Sequence, residues 1–460
     1  MSSGMQITQV EKFEVLPSNQ PSNNTYSFRR GNPIVTFNVG STAKLLRASS
    51  VRINGVLTVH DATSKLPSAT AINQSRAGDL TAKTATDVQI NSRVGTSGMF
   101  QNVNLSSNDT GQTLESVRQY GRLCASVLSS THSSEDFLHN TAVSELNPGV
   151  DTACANMVSN STHFSVRLFA GMLQGGNAIP MGANGVRGLT ITLELASDQQ
   201  FLKGAAAGTG GGASYEIKDL SLTGDYLVLD PASTAKLAIP GNGGFAYNSW
   251  NNLYSVIDSA DSTQTYNLSQ SNVLKVFHNF LPVPYSNNYA ADCYKTDLPE
   301  LSSATSIFDP AQPSFAQIKK VSFSRAGMKL ALDYDIDVET ASSAQRPQTQ
   351  LEINYLNAIS PYATLSHTLQ QPLLLGFGGK DRKPFDPSLD SVTTVDADAK
   401  NFGIGINVDP VSSVGLDFRG QSYATRITSN LDGKSPNAVF TYVLAKNMLQ
   451  YTPQGIQVMS

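Results

Sequence analysis

Asp333, Asp335 and Asp337 stand at alternate positions, the spacing with which a calcium-binding loop begins. Such a loop needs glycine at its sixth position, for a sharp turn, and a bidentate glutamate at its twelfth. Those places hold Val338 and Ala344. As strand residues, the three aspartates form one face opposite an apolar row of Leu330, Leu332, Tyr334, Ile336 and Val338, so they read as a solvated strand face. Six histidines are scattered along the chain, and the nearest pair, His132 and His139, lies in a polar stretch without the tight spacing of a zinc site. Gly182, Gly185 and Gly188 precede a strand, whereas a phosphate loop opens a helix, so they read as a turn. No Gly-x-Ser-x-Gly elbow occurs. Paired carboxylates for glycoside hydrolysis are a spatial property that no spacing reveals. Trp250, with Tyr247 and Tyr254 near it, has the chemistry to stack on a sugar, although such a residue more often plugs a sandwich core or anchors an interface. The resulting assignment is no catalytic residue, no cofactor-binding residue and no metal ligand.

The elements around these residues are strands. Phe164, Val166 and Leu168 alternate with Ser165 and Arg167, and Leu189, Ile191, Leu193 and Leu195 alternate with Thr190, Thr192 and Glu194. A period of two puts one apolar and one polar face on each segment. Burying the four aliphatic side chains of the second run contributes roughly 6–12 kcal/mol gross, at about 1.5–3 each, which favours a sheet packed on another sheet. Residues 26–30, 34–39, 51–59 and 215–229 also read as strands, with Gly55 at a bend or bulge. Helical spacing runs from Thr113 to Leu128 through Leu114, Val117, Tyr120, Leu123, Cys124 and Val127, with Thr113 as N-cap and Glu115 in the first turn. In the later half, residues 273–280, 330–338, 402–408 and 438–444 are strand-like, and Leu351, Tyr355, Leu356 and Ile359 suggest a short helix.

At 460 residues the chain exceeds one ordinary core. Asp230-Pro231, able to open a short helix, divides it into near-equal halves, each the size of one β-sandwich. The expected division is an N-terminal arm over residues 1–25 and domains over 26–230 and 231–460. The arm carries Val10, Phe13, Val15 and Leu16 among polar residues, so it can add a strand or clasp a neighbour but cannot fold alone. Apolar residues make up 40% and charged residues only 15%, enough for packed cores joined by polar loops. A net charge of −4 and no basic run longer than Arg29-Arg30 or Lys319-Lys320 argue against a duplex-binding surface. The three cysteines, Cys124, Cys154 and Cys293, are too few to staple the fold, which points to synthesis in a reducing compartment. The polar N-terminus lacks the apolar core of a signal peptide, and no run approaches the ~18 apolar residues of a membrane span. The polar stretches 62–98 and 285–317 are expected at the ends or edges of the domains.

Four segments resemble a known family. Met99 to Val103 leading into Thr113-Leu114-Glu115-Ser116-Val117-Arg118-Gln119-Tyr120-Gly121-Arg122-Leu123 looks like a strand followed by an inserted helix. Phe164 to Leu168, then Ile179-Pro180 and Gly188 to Leu195, resembles a strand pair in which a polar loop precedes Ile-Pro. Tyr215 to Leu229 resembles a strand closing a first domain, and Phe402 to Met459, with Gly415-Leu416-Asp417, the closing strands of a second. In this pattern the chain resembles the double jelly-roll major capsid proteins of polinton-like viruses, virophages and relatives, and more distantly adenovirus-type hexons.

The resemblance implies an all-β fold of two tandem eight-stranded jelly-roll sandwiches with short inserted helices. It implies a structural role and no enzymatic activity. Three copies would form a pseudo-hexagonal capsomer, and capsomers would tile an icosahedral shell around a double-stranded DNA genome. The partners would be other copies of this chain, with penton and minor capsid proteins, and there would be no sequence-specific contact with nucleic acid; other components or an internal membrane would lie between shell and DNA. The protein would be made soluble inside the host cell and end in the virion. The competing reading from another class is a receptor- or carbohydrate-binding β-sandwich of a spike or fibre, against which the absence of shaft-like repeats counts.

Overall fold

The computed structural model describes residues 6–60, 89–90, 94–131, 161–174, 178–182, 185–203, 214–237, 245–288, 293–294, 318–330, 334–335, 358, 404–408, 415–429, 436–452 and 455–459. The first strands are β1 (Ile7–Val15), β2 (Thr25–Tyr26), β3 (Ile34–Val39), β4 (Leu45–Arg47), β5 (Arg52–His60), β6 (Gln89–Ile90), β7 (Phe100–Ser107) and β8 (Thr113–Arg118). Helix α1 (Tyr120–Thr131) follows, then β9 (Ser161–Arg167), β10 (Ala178–Pro180), β11 (Leu189–Leu195), β12 (Leu202–Lys203) and β13 (Ser214–Leu229). A short helix, Pro231–Leu237, leads to β14 (Phe245–Ile257), β15 (Asp261–Asn267), β16 (Val273–Pro282), β17 (Ile318–Arg325), β18 (Met328–Lys329) and β19 (Tyr334–Asp335). The last strands are β20 (Ile404–Asn407), β21 (Ser422–Ser429), β22 (Asn437–Thr452) and β23 (Gly455–Met459).

The strand pairings repeat. In the later half β14 pairs with β22, β15 with β21, β16 with β20, and β17 with β18 and β19, an outside-to-inside nesting to which β23 adds by pairing with β22. β22 also pairs with β16, and β21 with β17. The earlier half does the same with β2–β13, β3–β11, β5–β9 and β7–β8, closed by β13–β5 and β11–β7. A long antiparallel hairpin rolled up into two facing sheets has this order, which is the jelly roll. No described strand before the Pro231–Leu237 helix pairs with a strand after it.

Alternation explains which residues are inside. Along β11 the buried positions are Leu189, Ile191, Leu193 and Leu195, with half-buried residues between them. In β5, Gly55 faces a bulge of β13, where the register shifts between Lys218 and Ser221 and Asp219 adopts φ +50°. A Cβ on Gly55 would stand 3.1 Å from the Lys218 carbonyl oxygen, a tight contact that favours glycine at this close approach.

Some expectations change. The helical spacing from Thr113 begins as a strand: β8 occupies Thr113–Arg118, and α1 starts only at Tyr120, after Gln119 turns with φ +53°. Leu114 and Val117 satisfy a three-residue spacing, but cross-strand pairing with β7 decides their conformation. The strand expected at 26–30 shrinks to β2, and part of the expected polar link before Pro180 is the strand β10, paired with β4. The tail of the 62–98 stretch, Gly95–Met99, is a fully buried 3-10 turn. Of the strand expected at 330–338, the described residues show Leu330, whose N–H donates to the Phe323 carbonyl, and β19. Of the helix expected near 351–359, only Ala358 is described; it is buried beside Gly405 of β20.

Candidate functional site

The two rolls meet along β8, α1 and the Gly171–Leu173 turn on one side and β14, β16 and β22 on the other. Glu115 of β8 is fully buried where they touch. Its Oε1 accepts the backbone N–H of Gly171 at 2.8 Å and of Trp250 at 2.7 Å, and its Oε2 accepts the N–H of Met172 at 2.9 Å. Trp250 lies on β14, whose opposite edge is paired with β22, so the carboxylate caps a strand edge that would otherwise carry an orphaned donor. Burial pushes the Glu115 carboxyl up to about 7, while the three N–H donors pull it back down. Gly171 lets the first roll approach: a Cβ there would stand 2.6 Å from the Asn248 carbonyl oxygen.

Arg122, in the first turn of α1, is also buried. Its guanidinium donates to the carbonyl oxygens of Cys293 at 3.0 Å and Phe280 at 2.6 Å, and lies 5.0 Å from the centre of the Phe440 ring. Phenols complete the seam. Tyr247 donates to the Leu114 carbonyl at 2.7 Å, Tyr442 to that of Gln119 at 2.9 Å, and Tyr294 to that of Gly98 at 2.8 Å. Gly121 leaves room for the Tyr294 ring, whose atoms lie 2.8 Å from where its Cβ would be. The Cys293–Tyr294 pair therefore sits inside the junction, although the surrounding polar stretch suggested an edge. One continuous apolar core runs through both rolls.

Two jelly rolls joined edge to edge through a buried polar seam match solved viral structures. The PBCV-1 protein VP54, as fitted into a cryo-EM reconstruction of the virophage Sputnik, shares the fold with a TM-score of 0.57 at 11% identity, over 99% of this chain and 98% of that one. The Faustovirus major capsid protein gives 0.54 at 11% identity, over 96% and 90%. A chain of the Sputnik virophage structure gives 0.50 at 11% identity, over 98% and 88%. The fold is the double jelly roll of viral major capsid proteins. No protein-family model matches the sequence. No curated protein matches it either.

Within this double jelly roll the residues singled out in sequence take structural places. Trp250 is wholly buried, its ring edge-on to Phe277 at 5.5 Å, and Tyr247 is buried beside it, so neither offers a face to a sugar; only Tyr254 is exposed. Asp335 lies in β19 across from Lys320 of β17, while Asp333 and Asp337 lie outside the described residues. His132 and His139 also lie outside them. Gly182, Gly185 and Gly188 sit between β10 and β11, and Gly188 takes φ +83°, which glycine alone adopts without strain. Cys124 and Cys293 are buried free thiols. Among the described residues no three His, Cys, Asp or Glu side chains converge as a metal site would require.

Two further polar groupings were not legible in sequence. His278 of β16 is fully buried in the second roll, with ring nitrogens 2.7 Å from Thr441 Oγ1, 2.9 Å from the Tyr423 hydroxyl and 3.0 Å from Thr425 Oγ1. Burial lowers its pKa to about 3, so the ring is neutral. At the foot of the first roll Glu216 pairs with Arg30 and lies 3.6 Å from His60, and Asp198 lies 3.6 Å from Arg29. Burial raises Asp198 to about 6, against the Tyr215 N–H, Arg29 and His60, which lower it. Each group has a hydrogen-bond or ion-pair partner across strands, the arrangement of structural fasteners more than of a nucleophile with its base.

Proposed function

We infer that this protein is a structural capsid subunit, the major shell protein of a double-stranded DNA virus. The observation that carries the reading is the junction: two jelly rolls sharing one core strand order held side by side through Glu115, Arg122 and the seam tyrosines, in the fold shared with capsid proteins over nearly the whole chain. A pair of rolls fixed in one orientation lets three chains occupy the corners of a hexagon. The net charge of −4 and the lack of any long basic run suit a shell with other components between it and the genome. We divide the chain into the arm (1–25), a first roll (26–230) and a second roll (231–460), and assign it a non-enzymatic role, with other copies as its main partners and the virion as its destination.

The test is the mass and shape of the expressed protein. Three chains of 49.1 kDa give 3 × 49.1 = 147.3 kDa by light scattering, and electron micrographs show pseudo-hexagonal plates or closed shells. A single-chain mass, or thin spikes in the micrographs, overturns the capsomer.

A further inference from the structure

β1 is an outer strand of the seven-stranded sheet of the first roll. It pairs antiparallel with β13 on one side, and among the described residues no strand pairs with its other edge. Two rows of side chains cross the sheet and stop at that edge. In one, the Arg47 guanidinium lies 3.8 Å from Asp225, and Asp225 is the register partner of Lys12: positive, negative, positive. In the other, Leu45 pairs with Leu227 and Leu227 with Val10. Leu45, Leu227 and Leu229 form a small buried cluster of their own, but Val10 at its border is 53% exposed.

The segment that ends both rows is complementary to itself. Laid antiparallel to a second copy about Phe13, Val10 falls opposite Leu16, which is 59% exposed, and Lys12 falls opposite Glu14. Each match occurs twice, because a two-fold contact uses the same patch on both partners. The charged row then continues with an acid and the apolar row with a leucine. A lysine on an edge strand ordinarily discourages pairing. Here it meets the opposite charge in the register about Phe13, which keeps equivalent faces of the two sheets on the same side, so the same residue helps to select the partner.

We propose that β1 is a two-fold docking strand that pairs antiparallel with β1 of a second copy, Phe13 on the axis, making one continuous sheet from two. Main-chain hydrogen bonds at the open edge supply the attachment, and the Lys12–Glu14 and Val10–Leu16 pairs set the register. A two-fold contact has no place on the axis of a three-fold ring, so it joins neighbouring capsomers. That location rests on the trimeric reading above; the strand pairing itself does not.

The test uses full-length Lys12→Cys and Glu14→Cys chains, each alone and as an equal mixture, under mild oxidation. Position 12 meets position 14 of the partner and not itself. The mixture is therefore expected to give a two-chain band on a non-reducing gel at least tenfold stronger than either variant alone or the parent. Equal bands in all samples, or none in the mixture, overturn the pairing. Lys12→Glu and Glu14→Lys provide a second test. Both positions are exposed, so each variant should keep the parent's capsomer mass; Lys12→Glu, which sets a second acid opposite Asp225, should lower the melting temperature slightly. Each alone should lose at least tenfold in assembled particles, and mixing the two should recover assembly; a mixture as defective as its components overturns the proposal. Micrographs of the parent decide the capsid reading separately, since capsomers without a 12–14 crosslink refute only the pairing, and the crosslink without capsomers refutes only the capsid.

Discussion

The carboxylate of Glu115 in the first roll accepts the backbone N–H of Trp250 in the second at 2.7 Å. A side chain thereby does for the outer edge of β14 what a neighbouring strand would do. The same carboxylate is held within its own roll by the N–H groups of Gly171 and Met172, so the two rolls cannot shift against each other without stranding the buried Trp250 donor.

Removing that acceptor should loosen the junction. Glu115→Ala is expected to cost about 2–5 kcal/mol, since buried N–H groups left without a partner cost ~1–3 kcal/mol each and the site relaxes in part. Denaturant titration should show the loss, with Trp250 fluorescence reporting it.

The same group should make stability depend on pH. Its folded-state pKa, about 7, lies above the ordinary 4.5, so its stabilising contribution is full below 4.5 and disappears as pH rises through 7. Ionising it in the folded state costs about 3 kcal/mol, at about 1.4 kcal/mol per pH unit. Glu115→Gln, which does not titrate, should flatten the decline between pH 4.5 and 7; an unchanged slope would place the titrating group elsewhere.

His278 should act in the opposite direction. Its folded pKa of about 3 lies below the ordinary 6.5, so its contribution is full above 6.5 and is lost as pH falls toward 3. The whole effect amounts to about 5 kcal/mol. In a Glu115→Gln background, where Asp198 still opposes it, lowering the pH from 6.5 to 4.5 should cost the His278 chain more melting temperature than the chain that also carries His278→Asn, which should be the less stable at pH 7.

Arg122→Met should uncouple the rolls. It deprives the carbonyls of Phe280 and Cys293 of their charged donor, at a cost of about 2–4 kcal/mol. Calorimetry should then resolve two transitions where the parent shows one.

Replacing Asp333, Asp335 and Asp337 together with Asn should leave the oligomeric mass unchanged and stability within about 0.5 kcal/mol, as for surface changes. A calcium-dependent rise in the parent's melting temperature that the triple variant lacks would reveal a metal site.

Periodicity alone was enough for the strands whose two faces differ. Residues 189–195 alternate without interruption, and β11 follows them residue for residue, because burial of one face is a local consequence of a two-residue repeat. The halfway division was likewise suggested by Asp230-Pro231 and length. What the sequence could not decide is which face of a short segment meets what. Thr113–Arg118 fits helical spacing as well as a strand, and only pairing with β7 chooses. β14, with Asn248, Asn251 and Asn252 among its aromatics, shows no clean alternation, and its edge is satisfied by the other roll through Glu115. Glu115 reads as a helix-opening charge and His278 as one scattered histidine, and nothing in the spacing marks Arg122. Their roles come from donors and acceptors far away in the chain, 135 residues for Glu115 and Trp250 and 163 for His278 and Thr441. Hydrogen bonds between such distant groups leave no periodic trace, so only the tertiary structure brings them together.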